Sequence, residues 1–220
     1  MHQAIIAPPI DETIPTDTAR QYYDFWGSRY AWFSFFESRA KLRLLDLLDL
    51  SPSMKLLNVG LGTGLEHQEM ITRLERAGDA VGLDISRAML LSAKQRTGAP
   101  LCQANGCELP FANATFDRLY AAYVLDLVPA SDLLTWLGAF RRVLRPGGKL
   151  ALGCLTEGVT PASRSLVHIW KLAYRISPLA CGGCRPLQLA GLVKEAGFHI
   201  LLSEVIVQLG VPSQIICATN

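Results

Sequence analysis

The stretch LLNVGLGTGLE, residues 56–66, places three glycines at alternate positions, Gly60, Gly62 and Gly64, directly behind an apolar run. A strand that enters a glycine-rich turn and then a helix brings backbone N–H groups and a helix N-terminus up to a ligand. Glycine serves there because a Cβ would hold the ligand away. The spacing is G-x-G-x-G. A dinucleotide fingerprint reads G-x-G-x-x-G, and Leu65 stands where its third glycine would fall. The next apolar run, DAVGLDIS, ends in Asp84, twenty residues beyond Gly64. An acid at the tip of a second strand can accept hydrogen bonds from two ribose hydroxyls. Ile85 beside it offers an apolar plate for one face of a base.

Outward from this loop the pattern alternates. Strands are expected over 55–59, 80–84, 101–104, 116–122 and 148–154, with helices over 64–77, 87–96 and 130–144. That rhythm predicts an α/β protein with a parallel sheet. Toward the end, helices over 162–175 and 186–196 lead into apolar runs 198–208 and 214–218. Only a short stretch containing LGVPS separates those runs, which predicts a hairpin and an antiparallel last pair. Upstream, 19–50 reads as helical, with Leu42, Leu45 and Leu48 on one stripe, widened by Leu44.

The chain of 220 residues is 50% apolar, enough to bury one sizeable core, so a single domain over 1–220 is expected. Its parts are a loosely ordered arm (1–18), a helical cap (19–50), a cofactor-binding core (51–155), an acceptor-side insertion with a helix (156–197) and a terminal hairpin (198–220). A formal net charge of +2 argues against a dedicated nucleic-acid binder. The first residues lack a basic start with a long apolar stretch, so a cytoplasmic protein is expected, one that touches membranes at most peripherally. Six cysteines fit reduced thiols. Cys181 and Cys184 in CGGC have metal-ligand spacing, but no second pair matches them, so a plain glycine turn and no metal are expected.

Four motifs in order, LLNVGLGTG, VGLDIS, ELPFANATFD and RRVLRPGGKLAL, resemble class I S-adenosylmethionine-dependent methyltransferases. The likeness is closest to the ubiquinone/menaquinone-type (methyltransferase type 11-like) subgroup and covers roughly residues 40–155. It implies a Rossmann-like, seven-stranded, mostly parallel sheet with an antiparallel last strand and helices on both faces. It also implies S-adenosylmethionine as cofactor. Gly60, Gly62 and Gly64 would line its methionine and ribose, Asp84 would hold the ribose, and Ile85 would pack on the adenine. Asn105 and Gly106 would sit near the adenine amine, and Ala121 to Tyr123 would border the sulfur. The family most often carries acids at the positions of Asn58 and Asn105. An amide there still accepts hydrogen bonds but offers no charge attraction.

The acceptor pocket is expected from segments outside these motifs. Residues 22–36, YYDFWGSRYAWFSFF, hold nine of the eighteen aromatic residues. Tyr22, Tyr23, Trp26 and Tyr30 are candidates to line it, while Phe33 and Phe36 read as packing. The stretch 158–194 contains no Asp or Glu, and on a helix His168, Lys171 and Arg175 share one face. A solvated face is the plainer account of these residues, and the sharper one makes His168 and Arg175 candidate contacts for an anionic headgroup or membrane surface. Methyl transfer from a sulfonium needs no leaving-group acid, so no obligatory base is expected. Tyr22, Tyr30 and Asp126 are the candidates to position or deprotonate an acceptor, and His67 is either over the cofactor or on a helix surface.

The expected function is methylation of a small, hydrophobic acceptor, such as a quinone precursor, a lipid amine or a specialised metabolite. A nicotinamide dehydrogenase is disfavoured by Leu65 and LRPGGKL. A non-catalytic S-adenosylmethionine-binding sensor or scaffold stays open because of the two amides.

Overall fold

The computed structural model describes residues 13–26 and 35–220. Its strands are β1 (Leu56–Val59), β2 (Ala80–Asp84), β3 (Leu101–Gln103), β4 (Phe116–Ala122), β5 (Leu144–Leu155), β6 (His199–Gln208) and β7 (Val211–Thr219). They form one sheet in the order β3-β2-β1-β4-β5-β7-β6. Strands β1 to β5 run parallel, and β7 lies antiparallel between β5 and β6. The seven-stranded sheet with one reversed strand is the architecture the motifs imply. Strand order turns around between β1 and β4, and open α/β sheets bind ligands beyond the carboxyl ends of the strands at such a switch.

The helices are α1 (Thr16–Trp26), α2 (Ser38–Leu48), α3 (Leu65–Leu74), α4 (Arg87–Thr97), α5 (Leu133–Val143), α6 (Pro161–Ile176) and α7 (Leu189–Glu195). The two-residue period of the strands sorts the core onto two faces. Leu57 and Val59 of β1, Leu119 and Ala121 of β4, and Leu150 and Leu152 of β5 pack toward α5 and α7. Leu56, Tyr120 and Ala151 pack toward α2 and α3. Each fully buried leucine contributes on the order of 2 kcal/mol. No helix among the described residues is long and apolar enough to cross a membrane.

Three expectations need adjustment. The helical reading over 19–50 falls on two helices, and α1 starts at Thr16, inside the stretch assigned to an arm. The buried stripe of α2 is Leu44, Leu45 and Leu48, whereas Leu42 is 56% exposed. Extending that stripe backward by helical steps of four reaches Lys41 and Glu37, which therefore face inward. Finally, β7 begins at Val211 because the hairpin turns on two residues alone, Leu209 (φ 50°) and Gly210 (φ 87°). A two-residue turn with both φ values positive matches the twist of an antiparallel pair. Pro212 thus sits inside the strand opposite Val207, its carbonyl accepting from Thr156 N.

Candidate cofactor and acceptor site

Strand β1 stops where Gly60 N and Leu61 N both donate to Leu83 O, at 2.8 and 3.2 Å, so the loop leaves the sheet against the end of β2. Gly60, Gly62 and Gly64 all have positive φ, 68°, 56° and 81°. Their reasons differ. A Cβ on Gly60 would lie 2.8 Å from Val124 Cβ, and one on Gly64 would lie 3.0 Å from Ala93 Cβ. Gly62 has nothing within 4 Å of that position, because it borders an open cavity. Gly64 does not line the cavity; it lets α4 pack under the loop.

Asp84 ties the loop down. Its Oδ2 accepts from Gly62 N at 2.9 Å and its Oδ1 from Ser86 N at 2.9 Å. Burial pushes this carboxyl up to about 6, against the pull of those N–H groups, and the Asp24 carboxylate adds to the rise. The side chain still borders the cavity, alongside Ile85 and Met89. Asn105, Gly106 and Trp136 continue that wall. Gly106 is glycine because the Trp136 ring occupies the place of a Cβ, and Asn105 Oδ1 turns back to accept from Cys107 N at 3.4 Å. On β4, Ala122 borders the cavity and Ala121 does not. Strand alternation turns Ala121 into the core on the α5 face.

The opposite end of the cavity was not anticipated. Lys41 Nζ pairs with Glu37 Oε2 at 2.9 Å and with Glu66 Oε1 at 3.3 Å, and lies 5.4 Å from the centre of the Tyr123 ring. All four residues line the cavity. Burial holds Glu37 above the ordinary carboxyl range although Lys41 opposes it. Burial also works to lower Lys41, yet its two carboxylate neighbours keep the ammonium above its usual value. Tyr123 adopts φ 55°, a strained conformation for a non-glycine residue, and is held there by Tyr123 N donating to Gly153 O at 2.7 Å and its hydroxyl donating to Ser213 Oγ at 2.6 Å.

Asn58 is buried beside this cluster and borders the cavity. Its Nδ2 lies 3.4 Å from His67 Nδ1, while its Oδ1 has no hydrogen-bond partner. His67 is neither over the cavity nor on a surface. It is buried under the loop, and burial lowers its pKa to about 4, so the ring is neutral and Nδ1 can accept from the amide. An acid at position 58 would set a buried charge beside this neutral ring.

Of the acceptor candidates, Tyr23 borders the cavity and its hydroxyl donates to Gly182 O at 3.0 Å. Neighbouring Asp24 accepts from Ser86 Oγ at 2.7 Å and Ala88 N at 3.0 Å, so α1 is pinned to the start of α4. Tyr22 packs edge-on against Tyr23 and at a tilt against Trp26, and neither Tyr22 nor Trp26 lines the cavity. Tyr30 lies outside the described residues, as does Phe33. His168 and Arg175 are exposed on α6, away from the cavity. Cys181 and Cys184 flank a tight turn whose carbonyls at 182, 183 and 184 accept from Tyr23, Tyr174 and Trp170.

Asp126 does not border the cavity. It is fully buried, its Oδ2 accepts from Leu155 N at 2.8 Å, and its carbonyl accepts from Arg185. This geometry argues against the reading of Asp126 as a proton acceptor. Burial raises its carboxyl to about 7. A raised folded pKa means the native state holds the extra proton between pH 4 and 7, so its stabilising contribution fades as pH rises through that window. Asp126→Asn keeps the acceptor for Leu155 without titrating. Thermal unfolding should therefore show the variant gaining several degrees over the wild type at pH 8 and little at pH 5. Parallel curves across that range would count against a buried, titrating carboxyl.

Residues 57–152 match the family model of the methyltransferase domain. A demethylmenaquinone methyltransferase from Corynebacterium urealyticum is 37% identical over 115 residues, 52% of this chain and 47% of that one. A malonyl-[acyl-carrier protein] O-methyltransferase from Erwinia pyrifoliae is 30% identical, covering 74% of this chain and 63% of that one. Residues 57–152 of this chain are a methyltransferase domain. The chain spans 47% and 63% of the length of these two curated relatives. Its fold is shared with the N-methyltransferase NodS from Bradyrhizobium japonicum, solved with S-adenosyl-L-homocysteine, at 17% identity and a TM-score of 0.66 over 84% of this chain and 87% of that one. S-adenosylmethionine is the cofactor of the domain family, and the residues present fit it. Gly62 leaves room for it, Asp84 presents a carboxylate, and Asn58 Oδ1 is an unsatisfied buried acceptor at the cavity wall.

Proposed function

We propose that this protein transfers the methyl group of S-adenosylmethionine to a small, hydrophobic acceptor of the kind formed by a quinone precursor, a lipid amine or a specialised metabolite. The observation that carries this reading is one cavity walled on one side by the glycine loop and Asp84 and on the other by Tyr23, Tyr123 and the Glu37–Lys41–Glu66 cluster. The cofactor supplies an electrophilic methyl sulfonium. The chain supplies alignment and exclusion of water, which favour an in-line displacement.

Two carboxylates around one ammonium leave one unit of negative charge at the cavity wall. That charge takes over the attraction for cationic groups that Asn58 does not provide. Asp84 holds the ribose, Ile85 packs on the base, and Gly106 with Asn105 forms the base's edge. Glu37, whose carboxyl is raised by burial, is the proton acceptor for a hydroxyl or amine acceptor. Tyr23 orients the acceptor from α1.

Calorimetry with S-adenosylmethionine, followed by a mass-shift screen of candidate acceptors, tests the function. Binding with no transfer to any acceptor would favour a sensor or scaffold. Glu37→Gln should lower turnover at least about tenfold, and by more than the loss of cofactor affinity that follows from removing the cluster's net negative charge. Equal loss of both would make Glu37 part of the cofactor site instead.

A further inference from the structure

We infer that the outer face of α6 docks on a lipid bilayer whose surface carries anionic headgroups. The helix is capped by Thr160 and turns Ser163, Val167 and Tyr174 inward. Trp170, on the same inner side, donates from Nε1 to Cys184 O at 2.9 Å. The opposite face presents Ile169, Leu172 and Ile176, at helical steps of three and four, exposed by 62%, 46% and 87%. Leu179 extends the strip beyond the helix end. A contiguous row of large exposed aliphatic side chains is uncommon on a solvated helix.

Charge points to the occupant. Arg164, His168 and Arg175 lie along one flank of the strip at helical spacing, and residues 158–194 contain no acid. Lys171, deeper on that flank, pairs with Glu157 just before the helix. An apolar strip with a basic flank and no acids matches a helix lying in the plane of a bilayer surface, aliphatic side chains among the acyl chains and cations among phosphates. The turn at the foot of α6 accepts the Tyr23 hydroxyl, and Tyr23 borders the cavity, so a docked α6 sets the cavity's cap beside the membrane. This surface is independent of the proposed methyl transfer, since its occupancy is read without turnover.

Flotation with vesicles of phosphatidylcholine alone, and of phosphatidylcholine mixed with phosphatidylglycerol, tests it. The wild type should float with the mixed vesicles and only weakly with the neutral ones, and high salt should release it. Ile169→Glu with Ile176→Glu should cut flotation by about tenfold, with thermal unfolding unchanged because both side chains are exposed. Three results would overturn the inference: a wild type that does not float with mixed vesicles, a double variant that floats as well as the wild type, or sedimentation showing a wild-type dimer that the double variant splits.

Discussion

Gly62→Val abolishes S-adenosylmethionine binding in calorimetry, an expected loss of at least about a hundredfold in affinity. Both valine methyls enter the cavity at the one loop glycine whose Cβ would meet no protein atom. They stand where the ligand must approach the backbone. The φ of 56° adds a separate cost of about 1–2 kcal/mol to folding, since a β-branched residue resists that conformation. The two effects can be told apart. Gly62→Ala carries most of the strain with little of the bulk, so it should unfold at a temperature near the valine variant's while retaining weak binding. Affinity of the valine variant within a few-fold of the wild type would reduce the loop to a turn.

Asp84→Ala should weaken cofactor binding by about 1.5–3 kcal/mol. The carboxylate both receives ribose hydroxyls in the proposed site and holds Gly62 N in place. Asp84→Asn separates these roles, because an amide oxygen can still accept from the loop. The pH dependence follows from the carboxyl's pKa of about 6. The ionised form is the stronger acceptor, so wild-type affinity should fall as pH drops through 6, and the asparagine variant should lack that fall. For stability the sign is opposite: the folded protein retains a proton between pH 4 and 6, so Asp84 favours folding less as pH rises through that range. Unchanged affinity in both variants would remove Asp84 from the ribose site.

Much of the fold is legible in the sequence because the central strands are buried on both faces and read as short apolar runs. The expected bounds of β2 and β4 coincide with those observed, and the glycine loop falls between β1 and α3. The reversed strand is legible from the short link between the last two runs. The charged end of the site is not. Glu37 and Glu66 meet through Lys41, a contact across the turn of one helix and the start of another, and neither residue has a motif of its own. The signal lay on α2: Lys41 stands four residues before Leu45 and seven before Leu48, on the face that their stripe turns inward. Asp126 misleads for a related reason. Sequence shows a carboxylate after the fourth strand, but not that a backbone N–H from β5 already occupies it. Tyr22 and Tyr23 differ by one helical step of about 100°, which decides which ring borders the cavity.

The place of β7 bears on how the chain is made. It is the last strand in sequence, yet it sits inside the sheet, joined to β5 on one side and β6 on the other. During synthesis the edge of β5 therefore waits unpaired while some fifty residues of α6, α7 and β6 emerge. An open edge of that kind is a template for pairing with another chain. Strand β6 cannot relieve it alone, because its hydrogen bonds to the sheet run through β7. Strand β7 thus acts as a zip fastener, and the nascent domain stays exposed to mispairing until it arrives.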